Sequence, residues 1–331
     1  MGVKISKIES VFPENILTNE DLSSRFPEWT PEIIENKIGI VQRHVVDDDE
    51  TALDLAVKAG EKILADYDKE TIDFLILCTQ SPDYYLPTSA CILQEKLGLP
   101  VRIGAFDFNL GCSGYIYGLG ICKGLVESKI ANKILFITAE TYTKKIHPLD
   151  KGNLTLFGDA ATASLIEYSE EEHILDFVLG TDGSGASNLI ISNGGARNKC
   201  DKDAPIIHDN GSPHTANDLY MNGPEIFTFT IQRIPKLIDE TLKKHQLKLE
   251  DIHYFVFHQA NKYMLDYLRE KMKVPADKFY MNMRETGNTV SSTIPIALKD
   301  CIDQSKVKKG DLVLLAGFGV GYSWGATIIK I

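Results

Sequence analysis

Two patterns of apolar and polar positions alternate along the chain. Short, unbroken apolar runs such as IDFLILCTQ (72–80), AFDFN (105–109) and KILFITAE (133–140) predict strands buried on both faces. TSACILQEKLGL (88–99), which ends at a glycine, and IYGLGICKGLVES (116–128) predict the helices between them. FGDAATASLIEY (157–168) predicts a further strand, and the alternating VKISKIES near the start another. The later part of the chain repeats this programme. IHYFVFHQ (252–259) is a predicted strand and NKYMLDYLREKM (261–272) a helix; MNMRETGN (281–288), a helix through PIALKDCI, and the strands DLVLLAGFG and GATIIKI follow. Asp73 and His253 lie 180 positions apart, Cys112 and Asn288 176, and Leu135 and Leu314 179. Such near-constant offsets predict a duplicated βαβ-type unit with halves 1–172 and 173–331, although few residues are shared between them.

The apolar run LVLLAGFGVGYSWGATII (312–329) carries no charge and is long enough to raise a membrane span. Glycines at 317, 319, 321 and 325 divide it, so two buried strands joined by a glycine turn are predicted and a soluble protein expected. Met1–Ser6 fits a loose myristoylation pattern, but the same residues open the first predicted strand.

Composition narrows the classes. The 331 residues are 44% hydrophobic and 24% charged, enough for two core-bearing units or one fold of two similar halves. A net charge of −11 argues against nucleic-acid binding, which needs a basic face to displace counterions. The six cysteines show no CxxC or Cys/His pairing, so neither a zinc site nor a disulfide framework is predicted. Cys78, Cys91, Cys122 and Cys301 sit in apolar runs and are expected to pack in the core. With no secretion signal at the start, the expected compartment is the reducing cytoplasm.

The remaining chemistry gathers at three places. In FDFNLGCSGYIYGLG (106–120) a strand stops at Gly-Cys-Ser-Gly and a helix follows. Cys112 therefore stands at a strand-to-helix elbow. Unpaired N–H groups and the helix dipole there would favour its thiolate, while Gly111 and Gly114 would ease the turn and the approach of a substrate. His258 opens a His-Gln-Ala-Asn run at the carboxyl end of its strand, where α/β sheets place ligands. Asn288 lies in Glu-Thr-Gly-Asn-Thr, which alone reads as a turn. If the halves pack about a pseudo-twofold axis, Cys112 and Asn288 occupy equivalent helix entries facing one cleft with His258. The other histidines show no ligand spacing. Cys, His and Asn in this order also occur in papain-type proteases, but here no aromatic follows the cysteine and the duplication has no place in that fold.

FDFNLGCSGYIYGL, FHQAN, MNMRETGNTVSSTIPIAL and GFGVGYSWGA resemble the motifs of the β-ketoacyl-acyl-carrier-protein synthase III family, within the thiolase-like condensing enzymes. LFGDAA (156–161), LGTDGS (179–184) and MNGPEIFTF (221–229) extend the match over nearly the whole chain in the family's order. The resemblance implies an α/β, thiolase-like fold of two duplicated halves in five α-β-α-β-α layers, assembled as a homodimer. It implies Cys112 as nucleophile, with His258 and Asn288 as its partners, and an oxyanion hole from the backbone N–H groups of Cys112 and Val320. It also implies an acyl pocket lined by Leu86, Leu156, Phe157 and Leu189, with Leu86 supplied by the partner subunit. Leu86 stands where acetyl-specific members commonly carry an aromatic gate, which points to a different or longer primer. A coenzyme A and pantetheine path would follow Trp29, Lys37, Lys151, Asn222, Gly223, Phe227 and Asn261.

The implied reaction is decarboxylative Claisen condensation of an acyl-CoA primer with a malonyl thioester, without metal or redox cofactor. Two departures point to a specialised relative. The arginine common after His-Gln-Ala-Asn is replaced in Lys262-Tyr263-Met264, leaving Lys262 and Arg269 as candidate docking residues for an acyl carrier protein. In GFGVG, Val320 replaces a usual glycine. Two rivals remain. One is an acyltransferase passing the acyl group to an alcohol or amine, which CO2 release from a malonyl thioester would exclude. The other is a non-catalytic partner subunit, for which failure of iodoacetamide to label Cys112 selectively would speak.

Overall fold

The computed structural model describes residues 2–209 and 212–331. Two five-stranded sheets dominate it. In the first, Gly2–Val11, Ala160–Ser169, Lys133–Glu140, Phe74–Cys78 and Gly104–Phe108 lie side by side in that order. In the second, the order is Val178–Thr181, Ser323–Lys330, Leu312–Gly319, Tyr254–Phe257 and Phe279–Tyr280.

The pairing directions repeat as well. Phe74–Cys78 runs parallel to both neighbours, and Lys133–Glu140 pairs antiparallel with Ala160–Ser169, which pairs antiparallel with Gly2–Val11. Tyr254–Phe257, Leu312–Gly319, Ser323–Lys330 and Val178–Thr181 do the same in the second sheet. The duplication read from residue offsets is thus a duplication of strand order and direction.

Each central strand is buried on both faces because alternate residues enter different cores. Ile76, Cys78, Ile134 and Phe136 join Val256, Val313 and Leu315 in a middle core shared with the helices Gly114–Glu127 and Thr293–Asp303. Leu75, Leu77, Leu135 and Ile137 face the other way, under Ala52–Leu64 and Ser89–Lys96. Phe255, Phe257, Leu314 and Phe318 pack beneath Gly223–Lys244 and Lys262–Lys271. Three cores between five layers give the α-β-α-β-α arrangement. Burying each large apolar side chain contributes roughly 1.5–3 kcal/mol, so this is where the fold draws its stability. The middle layer is tight: a Cβ on Gly118 would lie 2.0 Å from Cζ of Phe136.

The uncharged 312–329 run forms two antiparallel strands with Gly319 opposite Ser323, as predicted. Among the described residues no helix is long and apolar enough to cross a membrane. Three expectations change. The strand predicted at 157–168 begins at Ala160, because Phe157 leaves the sheet to form a parallel bridge with Asn288. Cys91, placed in the core by its apolar neighbours, is exposed on its helix. The glycines around Cys112 do not serve the backbone turn, since neither Gly111 nor Gly114 has a positive φ. They provide room: a Cβ would lie 2.5 Å from Gln80 Oε1 at Gly111 and 2.4 Å from Cys78 Sγ at Gly114.

Candidate active site

Cys112 ends the turn between the strand Gly104–Phe108 and the helix Gly114–Glu127, and is 6% exposed. His258 follows the strand Tyr254–Phe257, with its N–H donating to Ala316 O at 2.8 Å, so pairing with the neighbouring strand aims the side chain. Asn288 is fastened to the other half: its N–H donates to Leu156 O (2.9 Å) and its carbonyl accepts from Gly158 N (3.1 Å). All three side chains line one cavity of about 90 Å3, together with Leu156, Phe157 and Leu189.

Hydrogen bonds fix these groups. Asn288 Oδ1 accepts from Val290 N at 2.9 Å, which leaves Nδ2 without a protein partner among the described residues. Val290 holds a left-handed φ of 55°, costly for a β-branched residue, at the point where the turn brings Asn288 to the cavity and Thr293 to His258. His258 Nδ1 lies 2.7 Å from Thr293 Oγ1, and its ring meets Phe318 edge-on at 5.7 Å. Burial lowers the imidazole pKa to about 3, so His258 is neutral at physiological pH. Behind Cys112, Ser113 Oγ lies 2.6 Å from Ser323 Oγ, which donates to Val320 O at 2.9 Å and so anchors the glycine loop.

The thiolate expected at the elbow is overturned. Burial, and next the nearby Glu140, push the Cys112 pKa up to about 12, although the N–H groups of Cys112 and Val320 both pull it down. Those N–H donors act at the site but desolvation outweighs them. Cys112 rests as a thiol, and with Cys91 and Cys200 exposed, selective iodoacetamide labelling of Cys112 no longer separates an active from a silent chain.

Glu140 was not legible in the sequence. It is fully buried, accepts from Gln80 N at 3.2 and 3.1 Å, Ser81 Oγ at 3.1 Å and Ser291 Oγ at 2.9 Å, and burial raises its pKa to about 8. At neutral pH it is largely protonated, so it places little negative charge beside Cys112. Met221, Ile226, Thr230, Ala260, Met264 and Phe318 also line the cavity, brought there by separate elements of the chain.

The other predicted residues divide. Gly223 and Asn261 reach the cavity, Asn261 as an N-cap accepting from Met264 N at 2.8 Å. Asn222 caps the helix Gly223–Lys244, accepting from Glu225 N at 3.4 Å. Phe227 does not line the cavity; it stacks on Tyr263 at 5.4 Å and meets Tyr267 edge-on. Leu86 is 82% exposed and borders a separate, larger cavity of about 970 Å3 rather than the Cys112 cavity of its own chain. Trp29, Lys37 and Lys151 do converge, with the ammonium groups 5.4 and 5.7 Å from the indole ring. The docking residues are less free than expected: Lys262 pairs with Asp266 at 2.6 Å, and Arg269 with Asp266 at 3.8 Å and Glu270 at 3.1 Å. No cluster of metal-ligating side chains occurs among the described residues.

Comparison with known proteins agrees in sequence and in structure. Residues 106–183 match the family described as 3-oxoacyl-[acyl-carrier-protein] synthase III, and residues 242–331 match its C-terminal region. The β-ketoacyl-[acyl-carrier-protein] synthase III of Clostridium perfringens is 39% identical over 322 residues, covering 96% of each chain. That of Fusobacterium nucleatum is 36% identical over 321 residues, covering 96% of this chain and 95% of the other. A crystal structure of a 3-oxoacyl-(acyl-carrier-protein) synthase III superposes with a TM-score of 0.98 at 46% identity, covering 100% of both chains. One of a 3-oxoacyl-(acyl-carrier-protein) synthase from Burkholderia xenovorans LB400 gives 0.92 at 35% identity, covering 100% of this chain and 94% of the other. Sequence motifs, duplicated sheets and a Cys–His–Asn cavity converge: the chain belongs to the β-ketoacyl-[acyl-carrier-protein] synthase III family of thiolase-like condensing enzymes.

Proposed function

We propose that Cys112, His258 and Asn288 carry out decarboxylative Claisen condensation of an acyl-CoA primer with a malonyl thioester. The supporting observation is that one small cavity holds the sulfur, a neutral imidazole and an amide whose Nδ2 has no protein partner among the described residues.

Cys112 Sγ attacks the primer thioester, and the oxyanion is held by the N–H groups of Cys112 and Val320, donors commonly worth about 3 kcal/mol each. Collapse expels the CoA sulfur, which takes the cysteine's proton. The acyl-enzyme is uncharged, so the desolvation that disfavours a thiolate here does not disfavour it. A malonyl thioester then enters and its carboxylate leaves as CO2. The electron pair passes into the thioester carbonyl, forming an enolate. His258 donates through Nε2–H, with the Thr293 hydroxyl donating to Nδ1, and Asn288 donates through Nδ2. Neutral donors stabilise the enolate oxygen without protonating its carbon. That carbon attacks the acyl-cysteine; the C–C bond forms, the C–S bond breaks, and the departing sulfur takes up a proton. The product is a 3-oxoacyl thioester.

The same reading divides the chain at 172/173 and assigns Trp29, Lys37 and Lys151 to the coenzyme A nucleotide. It assigns the path of the pantetheine arm to Gly223 and Asn261, with Asn222 and Phe227 at its margin. Carrier-protein docking at Lys262 and Arg269 requires those side chains to exchange their acidic partners. The exposed Leu86 supports packing against a second copy in a homodimer. Six free cysteines, two of them exposed, support a reducing, cytoplasmic setting. Incubation with acyl-CoA should add one acyl mass to the wild type and none to Cys112→Ala. CO2 release from a malonyl thioester should then accompany product; acyl transfer to an alcohol or amine without malonyl consumption would overturn the reading.

A further inference from the structure

The strand Lys133–Glu140 reaches out of its own half at two positions on one face. Thr138 Oγ1 lies 2.8 Å from Ser292 Oγ, and Glu140 Oε1 accepts from Ser291 Oγ at 2.9 Å; all four side chains are buried. Ser291 and Ser292 belong to the turn between Asn288 and Thr293. A strand of the first half thus grips the second half between the residue that offers its amide to the cavity and the residue that hydrogen-bonds His258. The grip falls where the backbone needs holding. Val290, just before Ser291, keeps its φ of 55° only because its surroundings impose it. Val290 N also donates to Asn288 Oδ1, which aims Nδ2. Were the turn released, Val290 would relax toward negative φ, carrying that N–H and the Asn288 amide away from their place.

The duplication explains why this strand end carries a long polar side chain. The offset of 179 that relates Leu135 to Leu314 also relates Glu140 to Gly319. Gly319 leaves its space to Cys112, whose Cβ and Sγ both lie 2.9 Å from where a Cβ would stand. Glu140 faces the turn of Asn288, the counterpart of Cys112, and fills the equivalent space with a carboxyl. A carboxyl there is costly, since it is fully buried and no cation among the described residues pairs with it; an apolar side chain would avoid that desolvation. What the carboxyl adds is hydrogen bonding on two sides at once. Oε1 takes the Ser291 hydroxyl, while Gln80 N at 3.2 and 3.1 Å and Ser81 Oγ at 3.1 Å tie the group to the segment after the strand Phe74–Cys78. Glu140 does not line the Cys112 cavity, so it acts through the turn and not on a substrate.

We propose that Glu140 is a positioning residue for malonyl decarboxylation: through Ser291, with Thr138 acting through Ser292, it holds the strained turn of residues 288–293 against the half that carries Cys112. The inference rests on the condensation reading above. Acylation of Cys112 uses the backbone donors of Cys112 and Val320, whereas decarboxylation needs the Asn288 amide and the His258 imidazole. Loosening the turn therefore slows the second half-reaction and spares the first.

The test uses the full-length protein and whichever of acetyl-, butyryl- and hexanoyl-CoA acylates the wild type fastest. Intact mass follows acylation, and CO2 release from carboxyl-labelled malonyl-acyl carrier protein follows the second half-reaction in a single turnover. Ser291→Ala removes one hydroxyl and leaves Glu140 its other partners. It should slow CO2 release about 10-fold or more while acylation stays within about 3-fold of wild type. Glu140→Leu should show the same split. Glu140→Gln should keep CO2 release within about 3-fold of wild type, because its Oε1 accepts from Ser291 and its Nε2 donates to Ser81, as the neutral acid does. A smaller loss of CO2 release in Ser291→Ala overturns the proposal, as does an equal slowing of acylation, or a loss beyond about 3-fold in Glu140→Gln. Should Glu140→Leu not fold, Ser291→Ala and Glu140→Gln decide. A wild type that no acyl-CoA loads, or that loads and releases no CO2, refutes the condensation reading itself, and the proposal falls with it.

Discussion

Replacing Thr293 by valine isolates what orients the His258 imidazole. Nδ1 of His258 and Oγ1 of Thr293 are 2.7 Å apart, and each residue is 2% exposed, so water cannot substitute for the hydroxyl. That hydroxyl also lies 3.1 Å from Val290 O, and it can donate to only one acceptor at a time. Donation to Nδ1 leaves the proton on Nε2, facing the cavity; donation to Val290 would reverse the tautomer and turn Nε2 into an acceptor. Valine preserves shape and removes the choice. With the hydroxyl gone, the Val290 backbone carbonyl remains to accept from the imidazole and favours the tautomer whose Nε2 carries no proton; losing that donor costs about 1–3 kcal/mol, so single-turnover CO2 release by the acylated enzyme should fall roughly 10- to 100-fold. Acylation of Cys112, which does not use the imidazole donor, should stay within about 3-fold of the wild type. Thr293→Ser should restore decarboxylation, because serine returns the hydroxyl. Decarboxylation within about twofold of wild type in Thr293→Val would refute the tautomer argument. An equal loss in acylation would show general damage to the site instead.

Further outcomes follow from the same geometry. His258, with its pKa lowered to about 3 by burial, gives a decarboxylation rate flat from pH 5 to pH 8; a limb near 6.5 in the single-turnover pH profile would contradict it. Glu140, with a folded pKa of about 8 above the ordinary 4.5, contributes stability below about pH 4.5 that is lost as pH rises through 8. Denaturant unfolding between pH 5 and pH 9 should therefore show wild type losing up to roughly 4 kcal/mol relative to Glu140→Gln, whose profile should be flatter. Gly118→Ala should destabilise by about 1–3 kcal/mol or more in urea, because its methyl would lie 2.0 Å from Phe136 in the middle layer. Gly319→Ala would bring a methyl within 2.9 Å of Cys112 Cβ and Sγ, and should slow acylation more than about 10-fold.

Much of the fold was legible because its signal is local and repeated. Strands such as Lys133–Glu140 must be apolar throughout, since both faces are covered, and the recurrence of that pattern about 180 residues later exposes the duplication. The proposed nucleophile, Cys112, was legible for a similar reason, as a cysteine between glycines at a strand-to-helix turn is a rare local combination. Asn288 was weaker: alone it reads as a turn, and only its equivalence with Cys112 in the repeat marked it. The reason for its position, a bridge to Phe157 across the halves, involves residues 131 positions apart and leaves no local trace.

Protonation states were not legible at all. The sequence placed Cys112 at a helix start, which argues for a thiolate; the folded chain removes water from the sulfur, which argues more strongly for a thiol. Glu140 and Gln80 looked like the ends of ordinary strands until packing brought them together beside Cys112. By itself the amino-acid order determined which segments become strands and helices, that the programme runs twice, and which residue types were available for chemistry. Tertiary structure alone decided which of those residues share a cavity, which are shielded from water, and therefore which carry a proton. Periodicity is a property of neighbours along the chain, whereas desolvation depends on everything that packs around a group in space.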